Sequence, residues 1–272
     1  MISSSSNAQM KYLVKLQEKG SLRKADRVYI CEGRKMFGEV LQYAQESVVK
    51  AYFAESCFRE NEEEWQQRIK ECRVSYEIVS DSVFREVSQT VTPQGVLAVV
   101  RQPEYSLASI LCDANGCEKN QLCLLLLEDL RDPGNLGTIL RTAEGAGMDG
   151  VILSAESVDV FNPKVIRATM GAIYRLPFFY AASFTDLLGT LKEHGISTFA
   201  AHLAGSQEYD TVRYPKKSAI MIGNEANGLS EQATQLSDAR IRIPMEGAVE
   251  SLNAGVAAAI LMYELYRQKR FL

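Results

Sequence analysis

From residue 122 onward the chain alternates short apolar runs with stretches of helical period. Residues 122–127 form an unbroken apolar run, the pattern of a strand buried on both faces. Residues 136–146 place apolar side chains at 136, 139, 140 and 143, the spacing of one helix face, and Gly145 and Gly147 mark its end. Strands are predicted over 151–153, 197–201, 218–222 and 241–243. Helices are predicted near 163–171, over 183–193 and over 252–266, the last with apolar residues at 252, 256, 259, 260 and 263. This β/α alternation predicts a mostly parallel sheet flanked by helices.

The first hundred residues repeat the alternation on a smaller scale. A helix is predicted over 8–19, a strand over 28–31, and a helix over 35–45 with apolar 36, 37, 40 and 41. Strands follow over 48–54, 74–79 and 95–100, with a polar helix over 60–72 that holds the single tryptophan, Trp65. The expected organisation is a small α/β domain over 1–101, a linker of turn formers over 102–121, and a larger α/β domain over 122–272.

Composition narrows the class. Of 272 residues, 46% are hydrophobic and 24% charged, which excludes wholesale disorder. No apolar run approaches the roughly 18 residues of a membrane span, and the N-terminus lacks a signal-peptide core. Six cysteines fall in no C-x-x-C pair, and the two histidines, His194 and His202, lie far from them. A reduced, cytoplasmic protein without a metal site is expected. The net charge of −4 does not suggest nucleic acid. Its distribution does: residues 1–35 carry eight Lys or Arg against three acidic residues. Such a segment fits phosphate contact, or simply a solvated helix face.

Three strand-to-loop junctions hold candidate chemistry. In the first, the 122–127 strand exits into Glu128-Asp129-Leu130-Arg131-Asp132-Pro133-Gly134-Asn135, with Asn135 where a helix N-cap belongs and Arg141 off the apolar stripe. An ordinary capped helix, with Arg141 paired to Glu144, would read the same. In the second, 218–222 leads into Gly223-Asn224-Glu225-Ala226-Asn227-Gly228. Ligands favour that end of a parallel strand, though a plain turn is the alternative. In the third, Ile241-Arg242-Ile243-Pro244 precedes Glu250-Ser251-Leu252-Asn253 at the start of the last helix, where capping alone would also explain Ser251 and Asn253. Gly145, Gly147 and Gly150 match G-x-G-x-x-G but follow a helix instead of a strand, so a dinucleotide site is not expected. Neither histidine sits in a nucleophile elbow.

Taken in order and spacing, these junctions resemble the SpoU/TrmH family of RNA ribose 2′-O-methyltransferases, in the SPOUT superfamily. The resemblance runs over 124–268 through LEDLRDPGNLGTILRTAEGAG, FNPKVIRATMGAIYRLP, IMIGNEANGLS and IRIPMEGAVESLNAGVAAAILMYE. Residues 8–101 resemble the family's small RNA-binding domain. The resemblance implies a C-terminal α/β domain with a trefoil knot, S-adenosylmethionine bound near Gly223, Ile243 and Leu252, and a homodimer. Asn135, Arg141, Glu225, Ser251 and Asn253 would fall on the family's active-site positions. A guanidinium normally stays protonated, so Arg141 suits phosphate fixation and alkoxide stabilisation better than proton abstraction. Ala226 and Glu250 depart from residues frequent in the family. Ribosomal RNA is the expected substrate. Transfer RNA, or a non-catalytic RNA-binding or ribosome-assembly role, remains the alternative.

Overall fold

The computed structural model describes residues 1–204 and 207–270. In chain order the first elements are α1 (Ala8–Glu18), α2 (Gly20–Asp26), β1 (Val28–Glu32), α3 (Arg34–Tyr43), β2 (Val48–Ala54), α4 (Glu55–Glu60), α5 (Glu62–Glu71), β3 (Tyr76–Val79), α6 (Asp81–Val87) and β4 (Val96–Arg101). They continue as α7 (Leu107–Leu111), β5 (Leu122–Leu127), α8 (Pro133–Gly145), β6 (Gly150–Ser154), α9 (Pro163–Thr169), β7 (Phe178–Ala181) and α10 (Phe184–Glu193). The last are β8 (Ser197–Ala201), β9 (Gln207–Glu208), β10 (Lys217–Ile222), α11 (Glu231–Leu236), β11 (Ala239–Arg242) and α12 (Ala254–Lys269). Two compact units result, one of Met1–Glu104 with Asp159–Tyr174, the other of Tyr105–Val158 with Arg175–Leu272.

The first unit is built on a four-stranded sheet, β1-β4-β2-β3, antiparallel except for β2 with β3. Phe53 of β2 is the hub of its core. Its ring centroid lies 5.2 to 5.7 Å from those of Trp65, Phe58 and Phe37, so α3, α4 and α5 close over one aromatic cluster. The polar helix predicted over 60–72 is α5, Glu62–Glu71; Glu60 ends the separate helix α4 before it. Of the eight basic residues in 1–35, Arg23 is buried and serves the fold: its guanidinium holds Asp159 at 2.6 Å and donates to the Leu16 carbonyl at 2.7 Å. Arg27 and Arg34 are ion-paired with Glu104 and Glu60. The exposed remainder is Lys11, Lys15, Lys19, Lys24 and Lys35.

The second unit carries a seven-stranded sheet, β7-β6-β5-β10-β8-β11-β9, every pairing parallel. β5 lies between β6 and β10 and is buried along its whole length, as six consecutive apolar side chains require. The stretch expected as a linker, 102–121, is not featureless. α7 lies within it, and its Ile110 is fully buried, seated against Gly150 where a Cβ would come within 2.8 Å of Ile110. No helix among the described residues is long and apolar enough to cross a membrane.

Candidate active site

Four neighbouring strands, β5, β10, β8 and β11, send their C-terminal ends into loops around a cavity of about 1010 Å3. Its walls include Ile222, Leu229, Ile243, Leu252 and Leu261, and polar groups gather at Arg131, Asp132, Asn135, Glu225 and Asn253.

The loop after β10 folds back on itself. Asn224 N–H donates to the Gly228 carbonyl at 3.0 Å and Gly228 N–H returns a bond to the Asn224 carbonyl at 2.8 Å. The Asn224 side-chain oxygen accepts from the N–H groups of Ala226 and Asn227, filling the inside of the turn. The fold-back lays the Gly228–Leu229 peptide over Gly223. A Cβ on Gly223 would stand 2.1 Å from the Gly228 carbonyl carbon, so only glycine fits.

Three contacts tie this loop to the one leaving β5. The Glu128 carboxylate accepts from the Ser230 N–H and hydroxyl, both at 2.7 Å. Asn224 Nδ2 donates to the Asp129 carbonyl at 2.8 Å. Glu225 accepts from the backbone N–H groups of Arg131 at 3.1 Å and Asp132 at 3.0 Å, and from Asn135 Nδ2 at 3.0 Å. Burial raises the proton affinity of the Glu225 carboxyl. The bonds from Asn135, Arg131 and Asp132 outweigh that and hold it below the usual carboxylate range. Their contribution is present above the ordinary carboxylate value and is lost as the pH falls through the lower, folded-state value.

From Glu225 a hydrogen-bonded relay continues in one direction. Asn135 Oδ1 accepts from Asn253 Nδ2 at 2.9 Å, and Asn253 Oδ1 accepts from the N–H groups of Gly255 at 2.9 Å and Val256 at 3.3 Å. A carboxylate only accepts and a backbone N–H only donates, so the two ends of the relay fix the orientation of both amides. The β10 loop, the start of α8 and the start of α12 are thereby held as one piece.

Seven of the eight residues singled out in the sequence line this cavity: Asn135, Gly223, Glu225, Ile243, Ser251, Leu252 and Asn253. Two readings need correction. Asn135 is not the N-cap of α8. The helix starts with Pro133, which needs no N–H partner there, so Asp132 is the cap and its Oδ1 accepts the Asn135 N–H at 2.7 Å. Arg141 lies outside the cavity of its own chain, two turns along α8 and exposed. Among the described residues it has no hydrogen bond or ion pair, and Glu144 pairs instead with Arg175 at 2.8 Å. Arg131, Asp132 and His202, none of them a candidate from the sequence, also line the cavity. The Asp132-Pro133 step is itself a helix-start signal. His202 follows β8 directly, where the strand-end rule applied to β10 would have found it.

Residues 123–263 match the SpoU rRNA Methylase family, and residues 30–106 match a family described as RNA 2′-O ribose methyltransferase substrate binding. Over 188 residues the chain is 34% identical to the 23S rRNA (guanosine(2553)-2′-O)-methyltransferase RlmP of Bacillus subtilis (strain 168), covering 69% of this chain and 71% of that protein. The structure is similar to that of an AdoMet-bound rRNA methyltransferase from Sinorhizobium meliloti, with a TM-score of 0.85 and 28% identity over 98% of this chain and 97% of that one. It is similar also to an RNA 2′-O ribose methyltransferase, with a TM-score of 0.82 and 30% identity over 100% of this chain and 99% of that one.

Proposed function

The chain belongs to the SpoU rRNA methylase family, and on that premise we propose that it transfers the methyl group of S-adenosylmethionine to a ribose 2′-hydroxyl of 23S ribosomal RNA in the cytoplasm. The observation that carries this reading is the cavity with its Glu225–Asn135–Asn253 relay, built from the three junctions that the family resemblance singles out.

The residues present fit the cofactor. The cavity is of the size that takes a nucleoside with a short tail, and its aliphatic wall suits a purine face. Two carboxylates, Asp132 and Glu225, suit a sulfonium and an ammonium group. Gly223, Ile243 and Leu252 would hold it. When bound, S-adenosylmethionine supplies an electrophilic methyl group, and the chain supplies alignment and electrostatics. Asn135, held from both sides, presents a fixed amide at the cavity wall. Asn253 caps α12, and Ser251 lies at the cavity wall just before it. Arg141 fixes the phosphate beside the target ribose and offsets charge developing on its oxygen. The exposed lysines of α1 and α2 add sequence-independent attraction for RNA. The reading includes the trefoil knot implied by the resemblance. The chain's return from β11 past β8 to pack α12 on α8 and β10 is the topology that supports it.

Arg141 requires a second copy of the chain. It shares an exposed α8 face with Gly145, and a Cβ on Gly145 would lie 3.7 Å from the Tyr263 hydroxyl of α12. On α12 Val256 and Tyr263 remain 48% and 49% exposed, beside the partly buried Ile260. An apolar stripe next to an unpaired arginine suits a homodimer in which each chain lends Arg141 to the other's cavity. Val256→Asp with Tyr263→Glu is expected to convert a dimer to monomers in sedimentation equilibrium. A monomeric wild type would sink the dimer.

The decisive test is tritium transfer from labelled S-adenosylmethionine to unmodified 23S ribosomal RNA and to transfer RNA, wild type beside Arg141→Ala. Label on ribosomal RNA, reduced about a hundredfold in the variant with cofactor binding and melting retained, is the expected result. No label on either RNA from a cofactor-binding wild type would favour a non-catalytic RNA-binding role.

A further inference from the structure

The first unit has a cavity of its own, about 670 Å3, which methyl transfer leaves without a task. Two short segments meet there: Cys31-Glu32-Gly33-Arg34, where β1 runs into α3, and Thr92-Pro93-Gln94-Gly95, which leads into β4. Arg34 joins them. Its backbone N–H donates to Gln94 Oε1 at 2.9 Å and its Nε to the Gln94 carbonyl at 3.2 Å, while its guanidinium pairs with Glu60 of α4 at 2.8 Å. Buried Glu32 accepts from the hydroxyls of Ser88 and Thr90 and anchors the start of the second loop. Gly95, with φ of 79°, packs so closely on α4 that a Cβ there would collide with the Cβ of Cys57.

The cavity so framed is lined by buried Cys57 and Phe84 and by exposed Ser56, Arg85 and Gln94. Its polar groups keep bonding capacity that the fold does not use. Arg85 donates only from Nε, to the Asp81 carbonyl of its own helix at 3.3 Å, and has no ion pair among the described residues. Gln94 Oε1 is taken by Arg34, so the two hydrogens on Nε2 have no partner among the described residues. Asp81 receives the Ser56 N–H and hydroxyl through Oδ1 alone. Val91, in the same loop as Gln94, is an apolar side chain wholly exposed. A bare phosphate would need no apolar lining and would be repelled by Glu60 and Asp81. A nucleotide uses all of these groups: apolar surface under the base, amide and carboxylate at its edge, a guanidinium for its phosphate. We infer that this cavity takes one unpaired nucleotide of the RNA, other than the one methylated. That RNA is the ligand rests on the methyltransferase reading. The two cavities share no residue. Only a base turned out of the helical stack can enter, so the site selects RNA by its bulges and loops, whereas the exposed lysines of α1 and α2 attract any RNA.

The test is fluorescence anisotropy of the full chain, without S-adenosylmethionine, on two labelled RNA hairpins. One carries a bulge of four randomised nucleotides; the other is the same hairpin fully paired. The wild type is expected to bind the bulged hairpin about tenfold more tightly. Arg85→Ala removes the free guanidinium, and Ser56→Trp fills the cavity from its rim. Both residues are exposed, and both variants should melt as the wild type does. Each is expected to bring the bulged hairpin down to the affinity of the paired one, with the paired one unchanged. Should Ser56→Trp melt early, Arg85→Ala alone decides. Equal affinity of the wild type for the two hairpins would overturn the inference, as would a bulge preference that survives in Arg85→Ala. Binding to neither hairpin would overturn the RNA reading and this inference with it. A chain that prefers the bulge through Arg85 yet methylates no RNA would refute methyl transfer and leave the nucleotide site standing.

Discussion

Gly223→Ala is expected to abolish measurable S-adenosylmethionine binding and to destabilise the unit that holds it by about 3 kcal/mol, or about 6–12 °C in its melting transition. The added methyl would stand 2.1 Å from the carbonyl carbon of Gly228 and equally near the Leu229 nitrogen. Both are backbone atoms and cannot turn aside as a flexible side chain would. The Asn224–Gly228 bonds that close the loop must then open, and with them goes the cavity wall that the loop forms. Gly228→Ala is the control. That residue has φ of 68° but open space where its Cβ would lie, so its replacement carries only the left-handed backbone strain, about 1 kcal/mol. Calorimetric titration with the cofactor and a thermal scan separate the two. Native affinity in Gly223→Ala would show that the fold-back is not what shapes the site.

Asn135→Ala is expected to lower turnover about a thousandfold with little change in melting temperature. The two halves have different physical origins. Stability is spared because Asn135 sits in the first turn of α8, partly exposed, where alanine is the better helix former. Activity is lost because the relay breaks at its middle: Glu225 loses a donor, Asn253 loses an acceptor, and the starts of α8 and α12 are no longer held together. Asn135→Asp should do no better, since it sets a second carboxylate against Glu225 where a donor is required. Steady-state methyl transfer beside a thermal melt is the measurement. Full activity in Asn135→Asp would mean that the polarity of the relay is immaterial.

The larger elements were readable from the sequence because their patterns are long or unbroken. The strand over 122–127 and the strand over 197–201 stand where they were predicted, and the four apolar positions of 35–45 are the buried residues of α3. α2, α4, α6, α7 and α11 were not readable. With five to seven residues each, they span two turns or fewer, too little for a helical period to show against the neighbouring strands. β9 has two residues and exists only through its pairing with β11. At the site, the ordered motifs identified residues that the fold brings together, but not how they are joined. That Glu225 holds backbone amides, that the relay runs through Asn135 to Asn253, and that Asp132 caps α8 are facts of three-dimensional contact with no signature in spacing.

The position of β5 bears on how the chain is made. Its neighbour on one side, β6, follows within a few tens of residues, but β10, the neighbour on the other side, begins ninety positions after β5 ends. At roughly 5–20 residues per second, the ribosome needs roughly 5–20 s to supply it. For that interval a run of five leucines and a cysteine has one unsatisfied edge, in a chain already long enough to collapse on it. Nascent copies on one messenger carry the same edge at the same time, and two such edges can pair with each other as readily as with β10. The yield of active protein should therefore depend on translation speed and on the supply of holdase chaperones more than on the stability of the finished fold.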